Sequence, residues 1–167
     1  MKRRAALTAL LTTAMLSACG FQLRGSNGQG EIPFKTIYIS GIGESSPLGV
    51  ELRRYLRAGG DTRVVSDPKA ADATIQVLSE SRDKSILSLN SQGRIREYSL
   101  FYKLRFRVTD NQGEELLTPT EIALKRDISF NESQAIAKEK EEDLLYRDMQ
   151  SDLVQQILRR LAALKTA

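Results

Sequence analysis

The sequence predicts an α+β fold: a two-layer sandwich in which two helices pack on one face of a sheet. Three observations carry that expectation. First, Tyr98, Leu100, Tyr102, Leu104, Phe106 and Val108 take successive even positions, while Ser99, Phe101, Lys103, Arg105, Arg107 and Thr109 take the odd ones. A period of two describes a strand with one buried and one wet face. Second, Asp110-Asn111-Gln112-Gly113 turns the chain into another alternating run with Ile122, Leu124, Ile128 and Phe130 on one side. Third, Leu145, Met149, Leu153, Ile157, Leu161 and Leu164 recur at three- and four-residue steps, which is the stripe of an amphipathic helix. A sheet with one wet face needs cover only on the other, and two such helices supply it.

Taken in order, Phe34 to Ser40 reads as a first strand with Ile37 and Ile39 on one face. Gly41-Ile42-Gly43 is a loop. Ser46 before Pro47 is a helix N-cap followed by proline at the first helical position, and the helix runs from Pro47 to Ala58. Leu48, Leu52, Tyr55 and Leu56 face inward, Arg53, Arg54 and Arg57 point elsewhere, and Gly59-Gly60 closes the helix as a C-cap does. Thr62 to Ser66 has the composition of a short strand. Asp67-Pro68 is a turn. From Ala73, Ile75, Val77 and Ser79 oppose Thr74, Gln76 and Glu80, and the strand extends through Ile86, Leu87 and Leu89. Asn90-Ser91-Gln92-Gly93 is a hairpin loop. In the last strand Pro119 marks a bulge or an edge, and Arg126 interrupts the apolar face. Asn131 or Ser133 opens the long helix, with Glu139, Glu141, Glu142 and Asp143 toward its start and Arg159, Arg160 and Lys165 toward its end, an order that suits the helix dipole. The sequence is thus strand, helix, three-stranded meander, helix.

The N-terminus has its own grammar. Lys2, Arg3 and Arg4 precede a mostly apolar run from Ala5 to Leu16, too short to span a bilayer, and Leu16-Ser17-Ala18-Cys19-Gly20 closes it. Cys19 is the only cysteine. A leader ending on cysteine resembles the bacterial lipoprotein signal. That resemblance implies cleavage of residues 1–18, acylation of Cys19, and anchoring by chains that together hold a protein stably to a membrane. Gly20, rather than aspartate, implies the outer membrane by the same analogy. Residues 19–33 form the acylated end and a polar, glycine-containing tether, and 34–167 a single globular domain.

Composition narrows the function. The formal charge of +4 falls to +1 once Lys2, Arg3 and Arg4 leave, so a nucleic-acid partner is not indicated. There is no histidine, and with Cys19 acylated no free thiol, which removes Ser-His-Asp and Cys-His catalysis and most zinc or copper sites. No cofactor and no metal is implied. Ser45-Ser46 lacks a G-x-S-x-G context, and the carboxylates from Glu139 to Asp143 read as a solvated helix face. The reading is a protein that is not an enzyme. Lys103, Arg105 and Arg107, with Arg94 and Arg96 upstream and Lys125 alongside, form a basic sheet face. Such a face suits an anionic partner or simply keeps the sheet soluble. Phe101 among them is either a contact residue or packed under the tether.

Four stretches carry a family likeness. Cys19-Gly20-Phe21-Gln22-Leu23-Arg24-Gly25, Pro47 to Leu56, Gly93 to Tyr98 with Arg96-Glu97-Tyr98, and Asn131 to Met149 with Ala135-Ile136-Ala137-Lys138 and Glu142-Asp143 together resemble the LPS-assembly lipoprotein LptE family. The resemblance implies an outer-membrane lipoprotein on the periplasmic side that plugs the β-barrel LptD, helps it fold, acts with it in lipopolysaccharide delivery to the outer leaflet, and contacts lipopolysaccharide. Lys138 matches a family contact position. At the hairpin tip this chain has Asn90 and Ser91 instead of arginine, so Arg94 and Arg96 stand in as candidates, with Lys103 and Arg105 beyond them. The alternative is an accessory lipoprotein of another envelope complex, a transporter subunit or a cell-wall-binding module.

Overall fold

In the computed structural model, residues 32–59 and 61–164 are described; the leader, Cys19, the tether up to residue 31, Gly60 and Lys165 lie outside the described residues. The elements are β1 (Thr36–Ser40), α1 (Pro47–Ala58), β2 (Arg63–Val65), β3 (Ala73–Leu89), β4 (Ile95–Asp110), β5 (Glu115–Ser129) and α2 (Ala135–Ala162), with short 3-10 turns at Pro68–Ala70 and Glu132–Gln134. The sheet has five strands in the order β2-β1-β3-β4-β5. The short run at Thr62–Ser66 is a strand after all. Helix α1 carries the chain back across the sheet, so β2 enters parallel to β1, from Thr36↔Arg63 to Tyr38↔Val65. β1 also runs parallel to β3, and β3, β4 and β5 form the antiparallel meander.

Local chemistry sets the boundaries. Ser46 caps α1 by accepting the Gly49 N–H at 3.1 Å, with Pro47 following. Gly59 ends that helix with φ −83°, so the stop at this residue uses no left-handed turn. Asn131 caps the 3-10 turn by accepting the Ser133 N–H at 3.1 Å, and α2 starts only at Ala135. Gly41 has φ +77°, and a Cβ there would lie 1.9 Å from the Val77 carbonyl oxygen. The chain must therefore leave β1 here at a left-handed residue without a side chain.

Both helices cover one face of the sheet. The even residues of β4 are its floor: Leu100, Tyr102, Leu104, Phe106 and Val108 are all fully buried. Ile37 and Ile39 of β1, Ala73, Ile75 and Val77 of β3, and Ile122 of β5 extend it. Leu48, Leu52 and Leu56 of α1 and Met149, Leu153, Val154, Ile157, Leu158 and Leu161 of α2 close it from above.

The alternation expected for β3 holds only to Val77. A bulge between Val77 and Ser79 shifts the phase by one residue. Ser79 then faces Arg105 on the outer surface, whereas Glu80 faces Leu104 on the helix side, the reverse of the sequence expectation. A second irregularity, between Phe106 and Val108, brings Thr120 and Leu117 opposite them, so Pro119 sits in a bulge on an edge strand. Arg126 does lie on the helix face, where it bonds Asp152 of α2 at 2.8 Å.

Within β3, β1 reaches only Ala73–Gln76, so the rest of that strand forms a long arm with β4 and β5, overlaid by the N-terminal half of α2. At about 3.3 Å per residue the hairpin tip stands roughly 50 Å from the start of β3.

Candidate functional site

The bulge in β3 turns Glu80, Arg82 and Lys84 toward α2 and builds a polar seam there. Arg82 donates to the Tyr102 hydroxyl at 3.0 Å and to Gln150 Oε1 at 2.9 Å. Its guanidinium lies 4.5 Å from the Tyr102 ring centroid and 5.6 Å from that of Tyr146. Tyr102 donates to Glu80. Gln150 donates from Nε2 to Glu51 of α1 at 2.5 Å, and Glu51 also accepts from Ser151 Oγ at 2.7 Å. Further out, Tyr146 donates to the Asp83 carbonyl at 2.9 Å, and Lys84 pairs with Glu142 beneath the face of Tyr98. Burial pushes the Tyr102 hydroxyl far above the usual tyrosine range, and its bond to Glu80 adds to that. Burial, then Glu142, raises Tyr146 as well. Sequence reading missed this seam, because Glu80, Arg82 and Glu51 look like surface residues until the bulge is known. The available signal was the i, i+4, i+8 spacing of Glu142, Tyr146 and Gln150 beside the apolar stripe of the last helix.

At the tip, three of the anticipated contact residues gather round the β5–α2 junction. Arg94 faces Glu132 at 3.6 Å, and the Arg96 carbonyl accepts the Phe130 N–H at 2.7 Å. Lys138 donates to Ser129 Oγ at 3.0 Å and to Glu141 at 2.8 Å, and its side chain is only 16% exposed. Arg94, with a side chain 68% exposed, and the exposed Arg96 are the open cations here. Lys103 and Arg105 lie elsewhere, on the outer sheet face opposite Ala123 and Glu121.

That outer face pairs part of its charge. Arg107 bonds Gln76 at 2.8 Å and Glu115 at 3.2 Å, and Lys125 meets Asp127 at 3.3 Å. Lys103 sits 5.9 Å from the centroid of Phe101, which is half-buried between Asp83 and Lys125. The Ser99 hydroxyl, then Lys125, holds the Asp127 carboxyl below its ordinary value. A general acid needs the opposite shift. The other displaced carboxylate, Asp72, is also shifted down, by the hydroxyl and N–H of Thr36. The Ser46 hydroxyl is taken up in the α1 cap, and Glu141 and Glu142 in ion pairs.

A family model described as LptE, lipopolysaccharide-assembly, matches residues 34–161, from the first buried residue of the core through the last. The chain belongs to the LptE family. The LPS-assembly lipoprotein LptE of Pectobacterium atrosepticum is 28% identical over 152 residues, covering 90% of this chain and 80% of that protein. The solution structure of a lipoprotein B from Nitrosomonas europaea superposes with a TM-score of 0.73 at 40% identity, covering 86% of this chain and 91% of that one. The crystal structure of the rare lipoprotein B from Shewanella oneidensis does so at 0.68 and 26%, covering 77% and 94%. The LptE match takes in all five strands and both helices, so the whole α+β architecture is the family's.

Proposed function

We propose that this protein is a lipid-anchored component of lipopolysaccharide assembly on the periplasmic side of the outer membrane. It acts by contact with the barrel LptD, whose lumen it fills, and not as an enzyme. The observation that carries the reading is the LptE-family match across the entire domain. The physical character of the domain agrees with it. A barrel lumen is polar, and the outer sheet face here carries charged side chains with two ion pairs among them. No helix among the described residues is long and apolar enough to cross a membrane; the attachment proposed is through acyl chains on Cys19. Extraction of the native protein in mild detergent tests this. A stoichiometric complex with a large β-barrel, together with palmitate label on Cys19, is the expected result. A protein that comes out alone, or unlabelled at Cys19, overturns it.

Lipopolysaccharide would meet the tip, where Arg94 and Arg96 flank the β5–α2 junction and Lys138 stands behind them. Lys103 and Arg105 are the more remote candidates. The triple variant Arg94→Glu, Arg96→Glu, Lys138→Glu should lose at least tenfold in lipopolysaccharide affinity with an unchanged circular-dichroism spectrum. Full retention of binding would remove the tip from the account.

A further inference from the structure

A strand within a sheet that is covered on one face alternates in exposure, and β3 does so only while β1 lies beside it. From Ala73 to Val77 buried and half-buried residues take turns, but from Leu78 to Leu87 all ten residues are exposed, on both faces of the strand alike. The cause is a missing neighbour. The chain leaves β1 at Gly41, beside Val77, and among the described residues β4 is the only strand that pairs with Leu78–Leu89. An edge strand in an antiparallel ladder turns about every second N–H and C=O away from its partner. Over Leu78–Leu89 that makes a row of donors and acceptors about 36 Å long. One acceptor of this stretch, the Asp83 carbonyl, takes the Tyr146 hydroxyl at 2.9 Å.

The other edges of the sheet are guarded. β2 is three residues long, and β5 carries Pro119 in a bulge. Short edges, prolines and bulges prevent strand addition. Leu78–Leu89 contains neither proline nor glycine, and its inner bulge lies at its very start, before Ser79. Its cations turn inward, Arg82 to Gln150 and Lys84 to Glu142, both on α2. The chemistry of the row names the occupant. A phosphate or carboxylate group only accepts hydrogen bonds, so it meets the N–H groups and leaves the carbonyls unmatched. An extended polypeptide offers donors and acceptors at the same spacing. Side chains favour one register for it. Ser79 and Ser81 lie opposite Arg105 and Lys103 of β4 on the outer face, so only a short serine separates each cation from the open edge. Carboxylates of an added strand are favoured opposite those serines. Toward the tip, the exposed Ile86, Leu87 and Leu89 offer apolar contacts.

We infer that the open edge of β3, Leu78–Leu89, is a docking site for one extended segment of a protein partner, which joins the five-stranded sheet as a further strand. Under the proposed function, on which this inference rests for its partner, that segment belongs to the barrel chain. The test uses the full-length protein in its membrane, with the photo-crosslinking residue p-benzoylphenylalanine placed in turn at Ser79, Ser81 and Ser85. The three crosslinks should fall in sequence order along one continuous segment of the co-extracted barrel. Leu87→Lys, Leu89→Lys, which arms the edge with the residue that natural edges use, should lower the co-extracted barrel roughly fivefold. Val50→Lys, on α1 and exposed to a similar degree, should leave it unchanged. An equal loss in Val50→Lys would show that added charge anywhere breaks the complex and that the edge has no special part. If the barrel is co-extracted but the three positions crosslink to scattered segments, to lipopolysaccharide alone or to nothing, the edge is not the docking site although the plug reading stands. If they crosslink to a second copy of this chain, the edge pairs with itself and the inference is wrong. If the wild type comes out without a barrel, both fall.

Discussion

The two ends of this domain are held by different physics. Near β1 and α1, apolar side chains from two helices and four strands meet with no exposed surface at all, as at Ile37, Leu52, Phe106, Val108 and Leu158. Along the arm, α2 rests on the sheet through Arg82, Tyr102, Gln150, Tyr146 and Lys84, while Ile86 and Ile136 stay 55% and 75% exposed. The first end spends its hydrophobic residues on stability. The second holds its shape by hydrogen bonds and leaves apolar side chains exposed, the mark of a contact surface. The lesson is that the body of the fold secures the arm, and the arm is the surface proposed for contact.

The contrast can be broken by mutation. Phe106→Ala should cost about 3–5 kcal/mol in urea unfolding, the loss typical of an emptied aromatic site. Ile86→Ala on the arm should change stability by about 0.5 kcal/mol or less. Similar losses at the two sites would end the distinction. The polar seam comes next. Glu51→Ala strands the Gln150 amide and the Ser151 hydroxyl and should cost about 1–3 kcal/mol, whereas Lys125→Ala, at an exposed pair, should cost about 1 kcal/mol at most. The smallest effects lie in pH. Folding holds Tyr102 protonated, while the unfolded chain ionises it near 10. Its contribution is therefore complete below that value and declines as pH climbs further, and Tyr102→Phe should flatten that decline. Asp72 has the opposite sense. Its folded-state value is depressed, so its contribution is present above the ordinary carboxylate range and is lost as pH falls. Asp72→Asn should remove that part of the acid slope in a thermal-melt series.

Legibility in the sequence follows the same division. The β4 alternation and the stripe of α2 reported the buried end correctly, because burial imposes a strict period on apolar residues. The Ser46-Pro47 cap was readable because its chemistry is local. β2 was legible only as a candidate, since three residues carry little pattern and their pairing with β1 is decided by where α1 delivers the chain. The seam was hidden by the Val77–Ser79 bulge, which a sequence period cannot register. Lys138 was legible as a candidate cation, yet its engagement by Ser129 and Glu141 is a tertiary fact.

Hydrogen exchange on the wild-type protein, compared between the isolated chain and its detergent-extracted complex, tests most directly whether these surfaces do the work. The account predicts slow exchange in β4 and in the Met149–Leu161 half of α2 in both states, with new protection on binding on the arm from Leu78 to Leu89. Unchanged exchange on the arm in the complex, or protection appearing only at the buried end, would contradict it.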